Sequence, residues 1–336
     1  MVDTKKRINS NAELLKQMEK IFEERGRDTF NLARNIIFQE KSECEEVTEA
    51  LAYFMKEYWS DLVRPTLLSL GCEAVGGDPK ITTFIAVPMM LISCGIDIHD
   101  DLIDESKIKH GRVTLYGKFG RNISLLVGDA LLFKGLTLLT QAVKKINKEK
   151  IINISNLLTK MFFELGDAEA IELKLRKRFD VSPREYLDII EKKAADVEAH
   201  MHISAILGNG TEKEITSLAK FGRKLGKLII LGDDIIDMTD VEELLHRIKK
   251  EHLPLPILFA LEDQKTKPKL KRLLFKQNLT EKDAAKLFEI VYDSSSFDKV
   301  EKLMKKMIDQ GINELRNVKK CKKELEILIR TTFIKI

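Results

Sequence analysis

The sequence is poor in the residues that interrupt regular structure, with 17 Gly and 7 Pro among 336 residues. So few turn formers leave little material for short strands and tight loops, and predict long uninterrupted elements. Four cysteines, Cys44, Cys72, Cys94 and Cys321, are scattered, with no CxxC pair and no His at ligand spacing. That excludes a readable disulfide framework or zinc knuckle and fits a reducing, cytoplasmic location. Long hydrophobic runs are missing as well. The longest, 84–96, is about 13 residues and contains Pro88, where a membrane span needs roughly 20. The opening MVDTKKRINSNAELLKQMEK turns charged and amphipathic at once, without the apolar core of a signal peptide. The expectation is a chain that does not span a membrane. Nor is there an excess of one charge, since 57 Lys plus Arg face 53 Asp plus Glu for a net of +4. The Lys-rich stretches 144–150, 265–271 and 319–323 are short and sit beside Glu, Leu or Ile, so they read as solvated helix faces or turns. A nucleic-acid partner is not expected.

What is present is helical spacing. Ile151, Ile154, Leu157, Leu158, Met161, Phe162 and Leu165 follow the 3, 4, 3 stepping of one buried stripe, and no comparable run alternates with period two. Breaks fall at Arg64-Pro65, Gly76-Gly77-Asp78-Pro79, His110-Gly111, Asn209-Gly210, Pro254-Leu255-Pro256 and 294–296, marking off roughly a dozen helices. Gly76-Gly77 predicts a helix stop, because Gly takes the left-handed conformation cheaply. No Gly/Ser linker or low-complexity tract divides the chain, so the expected organisation is one all-α domain over 1–336.

The informative residues are acids in apolar surroundings. In LISCGIDIHDDLID (91–104), Asp100, Asp101 and Asp104 lie in an apolar helical run. In KLIILGDDIIDM (227–238), Asp233, Asp234 and Asp237 repeat the same i, i+1, i+4 spacing. Each set projects from one side of its helix. Either set alone reads equally well as a helix cap or as surface charge. Two sets at identical spacing, flanked by Ile and Leu, call for something cationic, because like charges desolvated together are costly by several kcal/mol per unpaired ion on rough estimates. Carboxylates without His or Cys point to a hard cation, and Mg²⁺ commonly takes one or two carboxylates, keeps waters and uses substrate phosphate. Two facing acid sets would cage two or three such ions around a diphosphate. Metal ions and Lys or Arg absorb the charge that develops as a diphosphate leaves, and an allylic prenyl group would leave as a stabilised carbocation.

These residues resemble the trans-isoprenyl diphosphate synthases of the polyprenyl synthetase family. HDDLIDESKIKHGRVTLYGKFGRNISLLVGDALL (99–132) is similar to the family's first aspartate-rich region, and GDDIIDMTD (232–240) to the second. LVRPTLLSL (62–70), YLDIIEKKAADV (186–197) and HLPLPILFAL (252–261) extend the likeness from about residue 40 onward. The resemblance implies the all-α isoprenoid synthase fold, a central cavity between the acid-bearing helices and a homodimer. It also implies that Asp100, Asp101, Asp104, Asp233, Asp234 and Asp237 bind Mg²⁺ and the allylic diphosphate. Lys193 matches the lysine of the KTA motif and Lys109 the first Arg of RRG, both placed to hold the leaving diphosphate. Arg247 and Lys250 fall near the two lysines after the second motif, across a shortened loop. Gly95, beside Cys94, stands five residues before the first motif, where an aromatic would plug a short pocket, so a chain of C20 or more is expected to fit.

Departures cluster on the second substrate. Where the family grips isopentenyl diphosphate with the Lys and last Arg of a GKRLRP-like motif, a His or Gln and the second Arg of RRG, this chain has Asp61, Arg64, Ser93 and His110. Asp61 exchanges attraction for repulsion. Ala194 replaces the Thr of KTA and Ile230 the Gln of FQxxDD, both polar groups tied to the deprotonation that ends condensation. Asp97, one turn before Asp100, either extends the metal site or is a hydrogen-bonded helix residue. The leading expectation is therefore Mg²⁺-assisted ionisation of a long allylic diphosphate followed by a non-standard step: cyclisation, elimination or transfer to an unusual acceptor. The alternative is a chain-elongating synthase whose isopentenyl site is rebuilt with Arg112 or His110, or completed by a homologous subunit. A purely structural partner role ranks third, because both acid motifs are kept.

Overall fold

The computed structural model describes residues 2–109 and 111–334, with side chains from residue 11 onward. Among them are fifteen α-helices: α1 (Val2–Phe38), α2 (Glu45–Tyr53), α3 (Val63–Ala74), α4 (Thr83–Ile103), α5 (Leu115–Gln141), α6 (Lys148–Leu175), α7 (Pro183–Lys193), α8 (Ala195–Leu207), α9 (Glu212–Thr239), α10 (Val241–Lys250), α11 (Leu255–Glu262), α12 (Lys267–Leu274), α13 (Glu281–Tyr292), α14 (Ser296–Glu314) and α15 (Lys322–Thr331). Apart from the one at Gly111, the expected breaks fall at or beside helix ends. Arg64-Pro65 opens α3, where a proline lacking its N–H costs no intrahelical bond. Gly76, at φ +95°, follows the end of α3 and lets Gly77 N–H reach back to Cys72 O at 3.0 Å. Capping boxes at Ser182/Glu185 and Thr211/Glu214 start α7 and α9.

One departure from all-helical structure matters. Strands β1 (Ile108–Lys109) and β2 (Arg112–Val113) pair antiparallel, with Lys109 opposite Arg112, through a connection containing Gly111 at φ +71°. This small hairpin follows the first acid cluster and turns Lys109 back over it. His110, a candidate for the second anion site, lies outside the described residues.

The largest core packs Leu218, Phe221, Leu225 and Leu228 of α9 against Ile190 of α7, Leu258 of α11 and Met304 of α14. A second joins α4, α6 and α8 through Met89, Ile154 and Ile203. A third joins α1, α4 and α5 around Phe30, Leu91, Ile98 and Leu131. Of the stripe expected on α6, Ile151, Ile154, Leu158 and Met161 are buried, whereas Phe162 is half-exposed. Two stretches, Pro79–Ile103 and Leu115–Lys144, are long and apolar enough to cross a membrane, unlike the short run that the sequence suggested. The first is mostly buried in the core, which accounts for its apolarity; the second is only 33% buried. Its helix α5 exposes Leu125, Leu126, Phe133 and Leu136.

Candidate active site

Both acid clusters lie near the C-terminal ends of long helices, Asp100 and Asp101 on α4 with Asp104 at its C-cap, and Asp233, Asp234 and Asp237 on α9. The negative end of the helix macrodipole opposes acids there, so the placement costs free energy unless cations offset it. The two ends face one another across a cavity of about 330 Å³, with Asp100, Asp104, Asp233, Asp234 and Asp237 all on its wall. Asp97, Glu172, Glu243 and Glu251 line it too. Nine carboxylates thus face three cations, Lys109, Lys193 and Arg247. Asp101 is not on this wall: buried, it accepts from Tyr58 Oη at 3.2 Å and Lys109 Nζ at 3.4 Å.

The ionisable groups report that imbalance. Burial raises the Asp104 carboxyl to about 8, with Asp100 and Glu251 adding to it, despite a 2.8 Å ion pair to Arg176. Burial likewise lifts Glu172 and Glu243 to about 7 and Asp101 to about 6. At Asp100 burial is outweighed by Lys109, 3.1 Å away, and by Lys193, and the group stays below the usual range. Lys193 is held by Glu169 at 2.9 Å and by Glu172. Neither glutamate was singled out from the sequence; acids three residues apart on α6, in the run LGDAEAIEL, were the available signal.

The second cluster is more heavily braced. Arg247 of α10 donates to Asp234 at 2.7 Å and Asp237 at 2.8 Å, and its Nε lies 3.4 Å from Glu251. Tyr186 Oη donates to both oxygens of Asp234 at 2.8 and 2.9 Å, and Leu255 N–H adds a bond at 3.2 Å. His252 Nε2 lies 3.0 Å from Arg247 Nη2 and can only accept there, since a guanidinium only donates. Burial, together with Arg247 and Lys193, keeps that imidazole neutral, far below its ordinary value.

Adjoining the acid chamber is a larger cavity of about 470 Å³, predominantly apolar, bordered by Ile96, Ile103, Phe162, Leu165 and Leu173. Asp97, Asp100, Lys193 and Ile230 line both spaces. Arg64 sits on the wall of the second, bound by Asp61 at 2.9 Å, Asp97 at 3.1 Å and Asp196 at 3.1 Å. Asp97 is therefore a hydrogen-bonded helix residue that also faces both cavities.

Three site expectations meet a different geometry. Cys94 and Gly95 do not border the apolar cavity. Cys94 is buried in the α1/α4/α5 core, and a Cβ on Gly95 would stand 2.5 Å from Leu132 Cγ and 2.7 Å from Gly128 O of α5. Because successive helical residues point about 100° apart, Ser93 and Ile96 face the cavity and Gly95 faces α5. Lys250 points away from the chamber to the exposed Glu105, at 2.6 Å. Arg112 is exposed on the hairpin; its Nη1 donates to Tyr58 O at 3.2 Å and reaches Ser60 Oγ at 3.5 Å.

A family model described as Polyprenyl synthetase matches residues 44–291. The chain belongs to the polyprenyl synthetase family. It is 28% identical to the geranylgeranyl diphosphate synthase of Sulfolobus acidocaldarius over 54% of this chain and 56% of that protein. It is 29% identical to the short chain isoprenyl diphosphate synthase of Methanothermobacter thermautotrophicus over 68% and 71%. The sequence match thus spans little more than half the length of the first of these relatives. Among solved structures, the geranylgeranyl pyrophosphate synthetase of Pyrococcus horikoshii superposes with a TM-score of 0.80 at 25% identity, over 94% of this chain and 98% of that one. The fold is the all-α isoprenoid synthase fold.

The chemistry of the donor set fits the divalent ion that this family typically uses. Among the described residues no group of three acid, His or Cys side chains stands ready to hold a metal ion. Lys109, Arg176 and Arg247 hold the acids in separate ion pairs instead. A carboxylate-rich wall whose carboxyls are raised chiefly by burial suits a cation that takes few carboxylates and fills its shell with water and phosphate.

Proposed function

We propose that this protein is a Mg²⁺-dependent, chain-elongating trans-prenyl diphosphate synthase, with the allylic diphosphate in the acid chamber and its tail in the apolar cavity. The observation that carries this reading is that the two spaces adjoin, with Asp97, Asp100, Lys193 and Ile230 on the walls of both. Nine carboxylates would repel a diphosphate unless cations came with it. Bound Mg²⁺, held by Asp100, Asp104 and Asp233, would supply Lewis-acid neutralisation of the leaving diphosphate. Lys109 and Lys193 reach the chamber as donors, poised by Asp100 and by Glu169 and Glu172, and would transfer their hydrogen bonds to diphosphate oxygens. When the allylic C–O bond breaks, the carbocation faces Ile96, Ile103, Leu165 and Leu173, which exclude water. The isopentenyl double bond then adds to it, and loss of a proton leaves the lengthened allylic product.

The non-standard second step rested on the cations lost at Asp61, Ser93 and His110. Relatives named for diphosphate synthesis, of short, geranylgeranyl and octaprenyl chains, support elongation instead. Arg112, beside Ser60 at the entrance to α3, offers a replacement cation for isopentenyl diphosphate. A second reading, ionisation without isopentenyl diphosphate, is favoured by one observation: Arg64 is already engaged by three carboxylates. Incubating the protein and Mg²⁺ with farnesyl or geranylgeranyl diphosphate, with and without isopentenyl diphosphate, separates them. Products lengthened by C5 units only when isopentenyl diphosphate is present are expected; diphosphate release in its absence would overturn elongation. The reading includes a homodimer, supported by the apolar residues that α5 exposes at Leu126 and Phe133; pairing with a homologous subunit is the variant that the same face allows.

A further inference from the structure

The basic stretch at 265–271 reads in the sequence as a solvated helix face, yet in the fold it belongs to a larger surface that the chemistry of the chamber does not use. Between 264 and 280 the chain carries six Lys or Arg and no acid, although its total net charge is only +4. Helix α12 turns Leu270, Leu273 and Leu274 into the core, which leaves Lys269, Lys271, Arg272 and, at its C-cap, Phe275 on the outside. Phe275 is 67% exposed, and its ring meets that of Phe179 edge-on at 5.2 Å. That contact joins α12 to the turn after α6, where Lys177 and Arg178 are exposed as well. Two nearby acids are already engaged, Asp180 by Arg178 at 3.0 Å and Asp283 by Lys276 at 2.6 Å. Among the described residues Lys269, Lys271 and Arg272 form no ion pair. We propose that this face docks the protein on an anionic lipid bilayer, with Phe275 entering the interfacial region and the surrounding Lys and Arg meeting headgroup phosphates. An exposed ring set among unpaired cations meets both requirements of interfacial binding, apolar area to bury and attraction to anionic lipid. A bilayer is favoured over another polyanion by what lies alongside: Leu173, on the wall of the apolar cavity and 45% exposed, comes to the surface just before the Lys177–Phe179 turn. A greasy product would thus leave the cavity next to the membrane; this link rests on the reading of that cavity as the prenyl-tail site, whereas the docking rests on the surface itself.

Sedimentation of the full chain with vesicles tests it, using phosphatidylcholine alone or mixed with phosphatidylglycerol. Binding is expected to the mixed vesicles only, and to weaken as salt screens the surface charge. The combined variant Lys269→Gln, Lys271→Gln, Arg272→Gln should bind them at least about tenfold more weakly, since each cation near an anionic surface contributes separately. Phe275→Ser should weaken binding several-fold with the charge unchanged. Both variants should keep the elongation rate of the parent in a lipid-free assay, because these residues line neither cavity. A parent that does not sediment, or that sediments equally with phosphatidylcholine alone, would overturn the proposal, as would variants that bind like the parent. Tighter binding of the parent to a single-stranded RNA or to polyglutamate than to the mixed vesicles would also overturn it, in favour of a nucleic-acid or acidic-protein partner. If circular dichroism shows the combined variant unfolded, Phe275→Ser alone decides. Absence of C5 elongation by the parent would count against the enzymatic reading and leave the vesicle result untouched.

Discussion

At the scale of single residues, the second acid cluster is held by groups that share its burial. Tyr186 is 1% exposed and gives its hydroxyl to Asp234, a carboxylate equally hidden. Tyr186→Phe keeps the ring against His252 but withdraws a donor from a buried anion, a change that typically costs about 1–3 kcal/mol. Urea denaturation should show that loss of stability; an unchanged midpoint would mean that water or Arg247 fully replaces the hydroxyl. The six aspartates were legible because their spacing is unusual in apolar helices. Their partners were not, since Tyr186 is 48 residues from Asp234 and Arg247 is 13, and ordinary Tyr and Arg codes carry no mark of the pairing.

Among elements, the contact of α4 with α5 decides which side chains can shape the tail cavity. Gly95 allows α5 to approach, because any Cβ there would collide with Gly128 O and Leu132. Gly95→Val should therefore lower the melting temperature, by about 1–3 kcal/mol or more of overpacking, and leave the product length of the folded fraction unchanged. Ile96→Phe, one residue on, projects into the cavity and should shorten the products seen by chromatography. Shorter products from Gly95→Val, or unchanged products from Ile96→Phe, would contradict the observed facing of α4. The apolar helical run 91–104 located the C-terminal part of α4 in the sequence. It did not say which of two adjacent positions faces the hole, because α4 is apolar on nearly every side and only its neighbours distinguish them.

For the molecule as a whole, the acid chamber couples stability to pH and metal. Asp104 titrates near 8 in the fold against an ordinary 3.8, and Glu172 and Glu243 near 7 against 4.5. Burial is the chief cause in each, with Asp100 and Glu251 around Asp104, Glu169 beside Glu172, and Asp237 and Glu251 around Glu243; Lys193, Lys109 and Arg247 only partly offset it. A raised folded value means that the native state binds more protons than the unfolded chain between the two values, so stability falls as pH rises through that window. The melting temperature of the metal-free protein should thus drop between about pH 4.5 and about pH 8, and Mg²⁺ with pyrophosphate should raise it more at the higher pH. Equal shifts at both pH values would mean that these carboxyls do not compete with the ion.

The sequence by itself determined the helical class, the positions of most breaks and the two acid clusters, because periodicity, Gly and Pro, and like charges at fixed local spacing are all encoded within a few residues of one another. It also marked the substitutions at Asp61, Ser93 and His110. Only the tertiary structure decided that nine carboxylates share one chamber with three cations, that Arg64 and Arg247 are already engaged, that Gly95 serves helix packing and that Lys109 returns on a hairpin. Those facts depend on which helices approach each other, and charge compensation in a buried site is set by distances in space between residues far apart in the chain.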